Sequence, residues 1–103
     1  MKRYSIYQVK DEAPNSRYVR FSSYKTVKDM GIDLTPDMYE KVFEGEIEEA
    51  ENLAETLENI FIALNVGKKP EEYKGHSLSM SDVIEIYGKF YYVDGIGYKQ
   101  LNF

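Results

Sequence analysis

Hydrophobic positions along this chain switch between an alternating spacing and a helical one, and each switch marks an element. From Arg3 to Lys10, residues rich in Tyr, Ile and Val alternate with polar ones, as in a half-buried strand. Asp11–Ser16 contains Pro14-Asn15-Ser16, a turn signal. Arg17–Tyr24 alternates again, with Tyr18, Arg20 and Ser22 set against Val19, Phe21 and Ser23. The two runs are expected to form a hairpin with a slightly long loop. Thr26-Val27-Lys28-Asp29 resembles a capping box with Asp in place of Glu, and Gly31 follows as a stop, so one short helix is expected there. Thr35 before Pro36 marks a second helix start, expected to run about one turn before Tyr39–Ile47 extends as a third strand.

The period then lengthens. Ala50, Leu53, Ala54, Leu57, Ile60, Phe61 and Leu64 recur at helical spacing, and Glu48–Asn65 is expected to be the long amphipathic helix. Its other face carries Glu48, Glu51, Asn52, Glu55, Glu58 and Asn59, with the early glutamates suited to a helix N-terminus and Gly67 placed as a stop before Pro70. Lys68–Lys74 reads as a connector with one helical turn at Pro70–Tyr73.

In the last third, Asp82–Tyr87 and Phe90–Asp94 are β-prone runs about Gly88-Lys89, a two-residue loop with Gly first, as a type II′ turn requires. That loop would set Tyr87 opposite Phe90, Ile86 opposite Tyr91, Glu85 opposite Tyr92 and Ile84 opposite Val93. Ile84, Ile86, Tyr91 and Val93 then share an apolar face, while Glu85, Tyr87, Phe90, Tyr92 and Asp94 share the other. Gly95-Ile96-Gly97 turns the chain into a last strand, Tyr98–Phe103, completing a three-stranded antiparallel meander. Gly75–Asp82 leads in as an ordered polar loop whose Ser and Asp side chains can bond nearby backbone. Together these elements specify an α+β domain spanning residues 1–103. It has a single antiparallel sheet of about five to six strands, one long helix packed on it, and one or two short helices.

Composition narrows the classes. With 103 residues, 43% hydrophobic and 30% charged, the chain can bury a core and is not disordered overall. It has no cysteine, which removes disulfides and thiolate metal sites and fits a reducing compartment. No apolar run approaches the roughly 20 residues that span a bilayer, and the first residues lack the apolar block of a signal peptide. The expectation is a cytoplasmic protein that does not engage a membrane. Charge is two-sided: Asp37–Ile60 carries nine acidic residues against Lys41 alone, net −8, and the remainder is net +3. That balance opposes general nucleic-acid affinity, which depends on neutralising phosphates.

GHSLSMSDVIEI (Gly75–Ile86) and YYVDGIGYKQL (Tyr91–Leu101) resemble the carboxy-terminal signature of the YodL-like domain. RYSIYQVKDE, YVRFSSY and MYEKVFEGEI fall in that family's order, so the resemblance covers nearly the whole chain. It implies a small domain of conjugative and other mobile elements in gut Firmicutes. Gly95 stands where the family pattern has Ser. The family has no agreed activity, and the resemblance transfers no catalytic residue.

Candidate chemistry is sparse. His76, the only histidine, lies among Ser77, Ser79, Ser81 and Asp82, but neighbours along an extended loop point apart and no nucleophile elbow is present. With Gly75, these residues are expected to form a structural loop, with no catalytic role. Asp82, Glu85 and Asp94 are the oxygen ligands a metal would use, but they lack a metal-binding spacing, so no metal and no cofactor is expected. Ten tyrosines and five phenylalanines are the stronger signal. Tyr87, Phe90, Tyr92 and Tyr98, flanked by Lys89 and Lys99, form a candidate interaction surface, unless the long helix or the first hairpin covers them. The expectation is a non-enzymatic accessory module of a mobile element, binding a protein partner through this surface. The alternative is nucleic-acid binding by the same aromatics with Arg3, Arg17, Arg20, Lys89 and Lys99. A more distant one is an acidic DNA mimic with an anti-restriction role.

Overall fold

In a computed structural model, which describes residues 1–66 and 70–103, five strands form one antiparallel sheet. They are β1 (Lys2–Val9), β2 (Tyr39–Ile47), β3 (Val83–Ile86), β4 (Lys89–Val93) and β5 (Tyr98–Leu101), in spatial order β2-β1-β3-β4-β5. The first strand is thus interior, paired with β2 along its whole length and with β3 from Tyr4 to Tyr7. Val42 is the extra residue of a bulge in β2, where the register steps between Ile6 and Tyr7. β3, β4 and β5 form the expected meander.

Both sheet faces are covered. On one, α3 (Leu53–Asn65) lays Leu57, Ile60 and Leu64 against Tyr4, Ile6, Ile84, Ile86, Tyr91 and Val93. This is the apolar face expected from the alternation in β3 and β4. The helix starts later than its glutamates suggest. Asn52 is the cap, its Oδ1 accepting from the Glu55 amide at 2.8 Å, and Thr56 Oγ accepts from the Ala50 amide at 3.0 Å. Glu48–Glu51 are therefore a connector, and Leu53 and Ala54, expected to face inward, remain exposed. The stop expected at Gly67, and Lys68 with it, lie outside the described residues. Tyr73 N–H bonds to the Pro70 carbonyl in the single turn expected there.

The second face corrects the first-hairpin expectation. Arg17–Tyr24 is not a strand: Ser16–Val19 is a short helix, α1, and Tyr24–Asp29 is a second, α2. With both edges of β1 occupied, no edge of that strand is left for this segment to pair with. It crosses the sheet instead, burying Val19 and Val27 against Val9, Val83, Tyr92 and Leu101. The cap of α2 is Ser23, not Thr26; its Oγ accepts from the Thr26 amide at 3.2 Å. Pro36–Met38 forms the expected single 3-10 turn before β2.

The β3–β4 turn also differs. Tyr87 and Gly88 are its central residues, with φ of +58° and +73°, a type I′ geometry that suits the twist of flanking strands. Ile84 therefore faces Tyr91 and Ile86 faces Lys89. Each strand slides by one residue relative to the expected register, a combined shift of two, so the partition of side chains between faces survives. Left-handed φ at a tyrosine is unusual. Its ring is held by a hydrogen bond from its hydroxyl to Glu49 at 2.7 Å and by Lys2 Nζ 5.3 Å from its centroid.

Tyr92 is fully buried on the second face, and its hydroxyl donates to the Ser22 carbonyl at 2.6 Å. Tyr92→Ala should lower unfolding stability by about 3–5 kcal/mol, the range for truncating a buried aromatic. Chemical denaturation checks this; a change within 0.5 kcal/mol, as at ordinary surface sites, would mean the α1–α2 layer does not cover the sheet.

Candidate functional site

The Gly75–Asp82 segment is pinned from three directions. Gln8, on the α3 side of β1 and buried, accepts at Oε1 from the His76 amide at 3.2 Å. Its Nε2 donates to the His76 carbonyl at 2.9 Å and to Asp82 Oδ2 at 3.1 Å. A Cβ on Gly75 would lie 1.9 Å from Gln8 Oε1, so only glycine allows this approach. Asn65, at the end of α3, holds Leu78 at both backbone groups, accepting from its amide at 2.8 Å and donating to its carbonyl at 2.6 Å. Ser81, at φ +81°, accepts from the Phe21 amide at its hydroxyl and from the Tyr39 hydroxyl at its carbonyl. Sequence reasoning missed Gln8 and Asn65. The signal for Gln8 was a polar residue in phase with Tyr4 and Ile6 on an inward face.

Asp82 is 1% exposed, and its carboxyl is pushed up to about 7, chiefly by burial. Hydrogen bonds from the Ser79 amide and Gln8, and the charge of Arg20, oppose that rise. His76 Nε2 is 3.9 Å from Asp82 Oδ1, and Phe21 packs on the imidazole with centroids 5.5 Å apart. The imidazole Nδ1 lies 2.7 Å from the Ser77 carbonyl and 3.2 Å from Gln8 Nε2. No serine hydroxyl of the loop is hydrogen-bonded to the imidazole: Ser81 Oγ is engaged by Phe21, and Ser79 Oγ is buried without a hydrogen-bond partner among the described residues. Asp82, Glu85 and Asp94 stay apart. Glu85 accepts from the Tyr7 hydroxyl on the second face, and Asp94 accepts from the Tyr24 and Gly95 amides. Among the described residues no group of three His, Asp or Glu side chains is placed to hold a metal ion.

The candidate aromatic surface is divided by the sheet. Phe90, Tyr92 and Lys99 lie on the α1–α2 side. There Phe90 packs between Tyr7 and Phe103, and Lys99 Nζ sits 5.7 Å from the Tyr24 centroid. Tyr98 and Lys89 lie on the α3 side, and Tyr87 is in the turn. The three arginines of the basic set are engaged elsewhere. Arg3 is paired with Glu44, whose carboxyl is held down at about 2 by hydrogen bonds from Lys41 and then Arg3. Arg20 is paired with Asp11 and donates to the Val9 carbonyl, while Arg17 lies over Tyr18.

What the fold leaves open is a groove of about 490 Å³ on the α3 side, lined by Leu53, Ala54, Leu57, Glu58, Tyr91, Gly97, Tyr98 and Gln100. It runs between the first two turns of α3 and the outer strand β5. Tyr98 closes one wall, its hydroxyl 3.4 Å from Glu58 Oε1. Beyond Gly97 the turn exposes Ile96 almost completely, at 98%. Sequence reasoning found Tyr98 but not its neighbours, because it treated Leu53 and Ala54 as covered.

These features define a small α+β domain: a five-stranded antiparallel sheet between one long helix and a layer of short ones, tied by a polar loop clasp. A family model of the YodL-like domain matches residues 3–103, and the chain belongs to that family. Neither curated proteins nor solved structures yield a match. Among the described residues no helix is long and apolar enough to cross a membrane.

The Asp82 carboxyl generates a pH prediction. Its ordinary value is 3.8 and its folded value is raised, so its stabilising contribution is complete below about pH 4 and lost as pH rises through about 7. The stability lost through this group between those limits is up to about 4 kcal/mol in total. Asp82→Asn should flatten the fall in urea midpoint over that range and exceed the parent chain in stability at about pH 8. Parallel midpoint curves for the two proteins would show that burial does not raise this carboxyl.

Proposed function

We propose that the chain is a non-enzymatic accessory module of a mobile genetic element that binds another protein, and that the groove beside β5 is where the partner docks. The mobile-element setting comes from the family. The binding reading is carried by one observation: the apolar stripe of α3 extends past the sheet it covers. Leu53 and Ala54 remain exposed above Tyr91 and Tyr98 at an open sheet edge. Exposed apolar side chains gathered in a concavity favour a partner, whereas scattered ones need no explanation. This reading keeps Tyr98 from the original aromatic set and releases Phe90 and Tyr92, which are packed within the fold. The non-enzymatic reading is supported by the clasp geometry, in which the imidazole, the buried acid and the Ser81 hydroxyl bond to backbone groups and lie outside the groove.

Ala54 is an exposed helix position where arginine is tolerated by the backbone. In chemical cross-linking from a host carrying the same element, the parent chain should capture a defined protein. Ala54→Arg, with an unchanged denaturation curve, should lose it. Undiminished capture by Ala54→Arg would remove the groove from the reading, and no specific capture by the parent chain would remove protein binding itself.

A further inference from the structure

Resting on that reading, we infer that the groove accepts an extended, basic peptide segment, added as a sixth strand along β5, with one large apolar side chain seated between α3 and Tyr98. Three features converge on this occupant. First, β5 is an outer strand, paired with β4 on one side only, so its other edge carries backbone donors and acceptors that another strand satisfies. Second, a strand laid there runs roughly 5 Å beyond β5 and turns every second side chain to the α3 side, which is where the groove opens. The groove lining on that side is apolar except for Glu58, Gln100 and the Tyr98 hydroxyl, and its volume suits one leucine- or phenylalanine-sized side chain with room for its flanks. Third, the helical side is acidic. Glu58 lines the groove itself, Glu55 shares the first turns of α3, the connector before it carries Glu48, Glu49 and Glu51, of which Glu49 accepts from the Tyr87 hydroxyl, and α3 contains no lysine or arginine. Side chains two positions either side of the buried apolar residue would meet this wall, where cations are attracted and carboxylates repelled.

Length fits as well. β5 has four residues, so the added strand pairs over about that span, and recognition is of a short linear segment, not a folded surface. The opposite edge is a poorer acceptor: β2 is bulged at Val42, and the Val42 carbonyl is already occupied by the Lys74 amide at 3.1 Å.

The test uses the full chain, isotopically labelled, titrated with capped pentapeptides and followed by amide chemical shifts. The probe alternates arginine, threonine, leucine, threonine, arginine, which places leucine and both arginines on one side. Saturable shifts confined to Tyr98–Leu101 and the first turns of α3 are expected. Binding should be several-fold weaker for the same peptide with glutamates in place of arginines, and lost on N-methylation of alternate backbone nitrogens or with Ala54→Arg. Equal binding by the N-methylated peptide would overturn strand addition, and equal binding by the glutamate peptide would overturn the basic specificity. No shifts, or shifts elsewhere, would overturn both. Failure here alongside Ala54-dependent capture of a native protein would leave the interaction module standing and remove only the extended-strand mode. Concentration-dependent dimerisation through β5 in sedimentation would assign the edge to a second copy instead.

Discussion

The structure depends on β1 being enclosed in every direction. It has a partner strand on each edge and a packed layer on each face, with Ile6 fully buried at its middle. An interior strand satisfies its backbone through its neighbours, so nothing further can pair with it, and the residues that follow it, Lys10–Met38, must do something else. They cross the sheet, fold into two short helices and a 3-10 turn, and return as β2 on the far edge. The chain between β2 and β3 then crosses the other face as α3. Two excursions, one from β1 and one from β2, thereby build the two layers.

That constraint explains which parts of the fold could be read directly. The meander and α3 are governed by local periodicity, and the division of β3 and β4 into two faces depends only on parity. It therefore survived a turn centred one residue earlier than Gly88-Lys89. Arg17–Tyr24 has the alternation of a strand, but whether alternating residues become a strand depends on an available edge. That property belongs to the whole sheet. Asn52 and Ser23 were likewise legible as capping types, yet each lies beside other residues that could also cap, and only the packing of Leu57 and Val27 selects between them.

The polar clasp is the counterpart of that packing. Gln8 belongs to β1 and Asn65 to α3, and both hold Gly75–Asp82 by two-point hydrogen bonds to backbone. A loop on a protein surface is ordinarily free to move; this one is tied to the centre of the sheet and to the helix that covers it. The serines, glycine and aspartate of the segment thus read as structural from local sequence, whereas the groups that receive them, 65 and more residues away at Gln8, could not. Asp82 is the costly member: a carboxyl drawn out of water whose neutral form the surroundings favour. The hydrogen bonds from Gln8 and Ser79 satisfy its oxygens without restoring what solvent would give the charged form.

The open groove changes what the acidic run faces. The first turn of α3 and the outer strand β5 line the groove together without closing it. Had Leu53 and Ala54 been covered, the glutamates around them would form an ordinary solvated face. Left open, they place an apolar concavity beside the Glu58 carboxylate and an unpaired strand edge, three different features that meet at Tyr98. For the proposed peptide, burial of apolar surface there would supply affinity, the edge would fix orientation, and the carboxylates would discriminate between partners by charge.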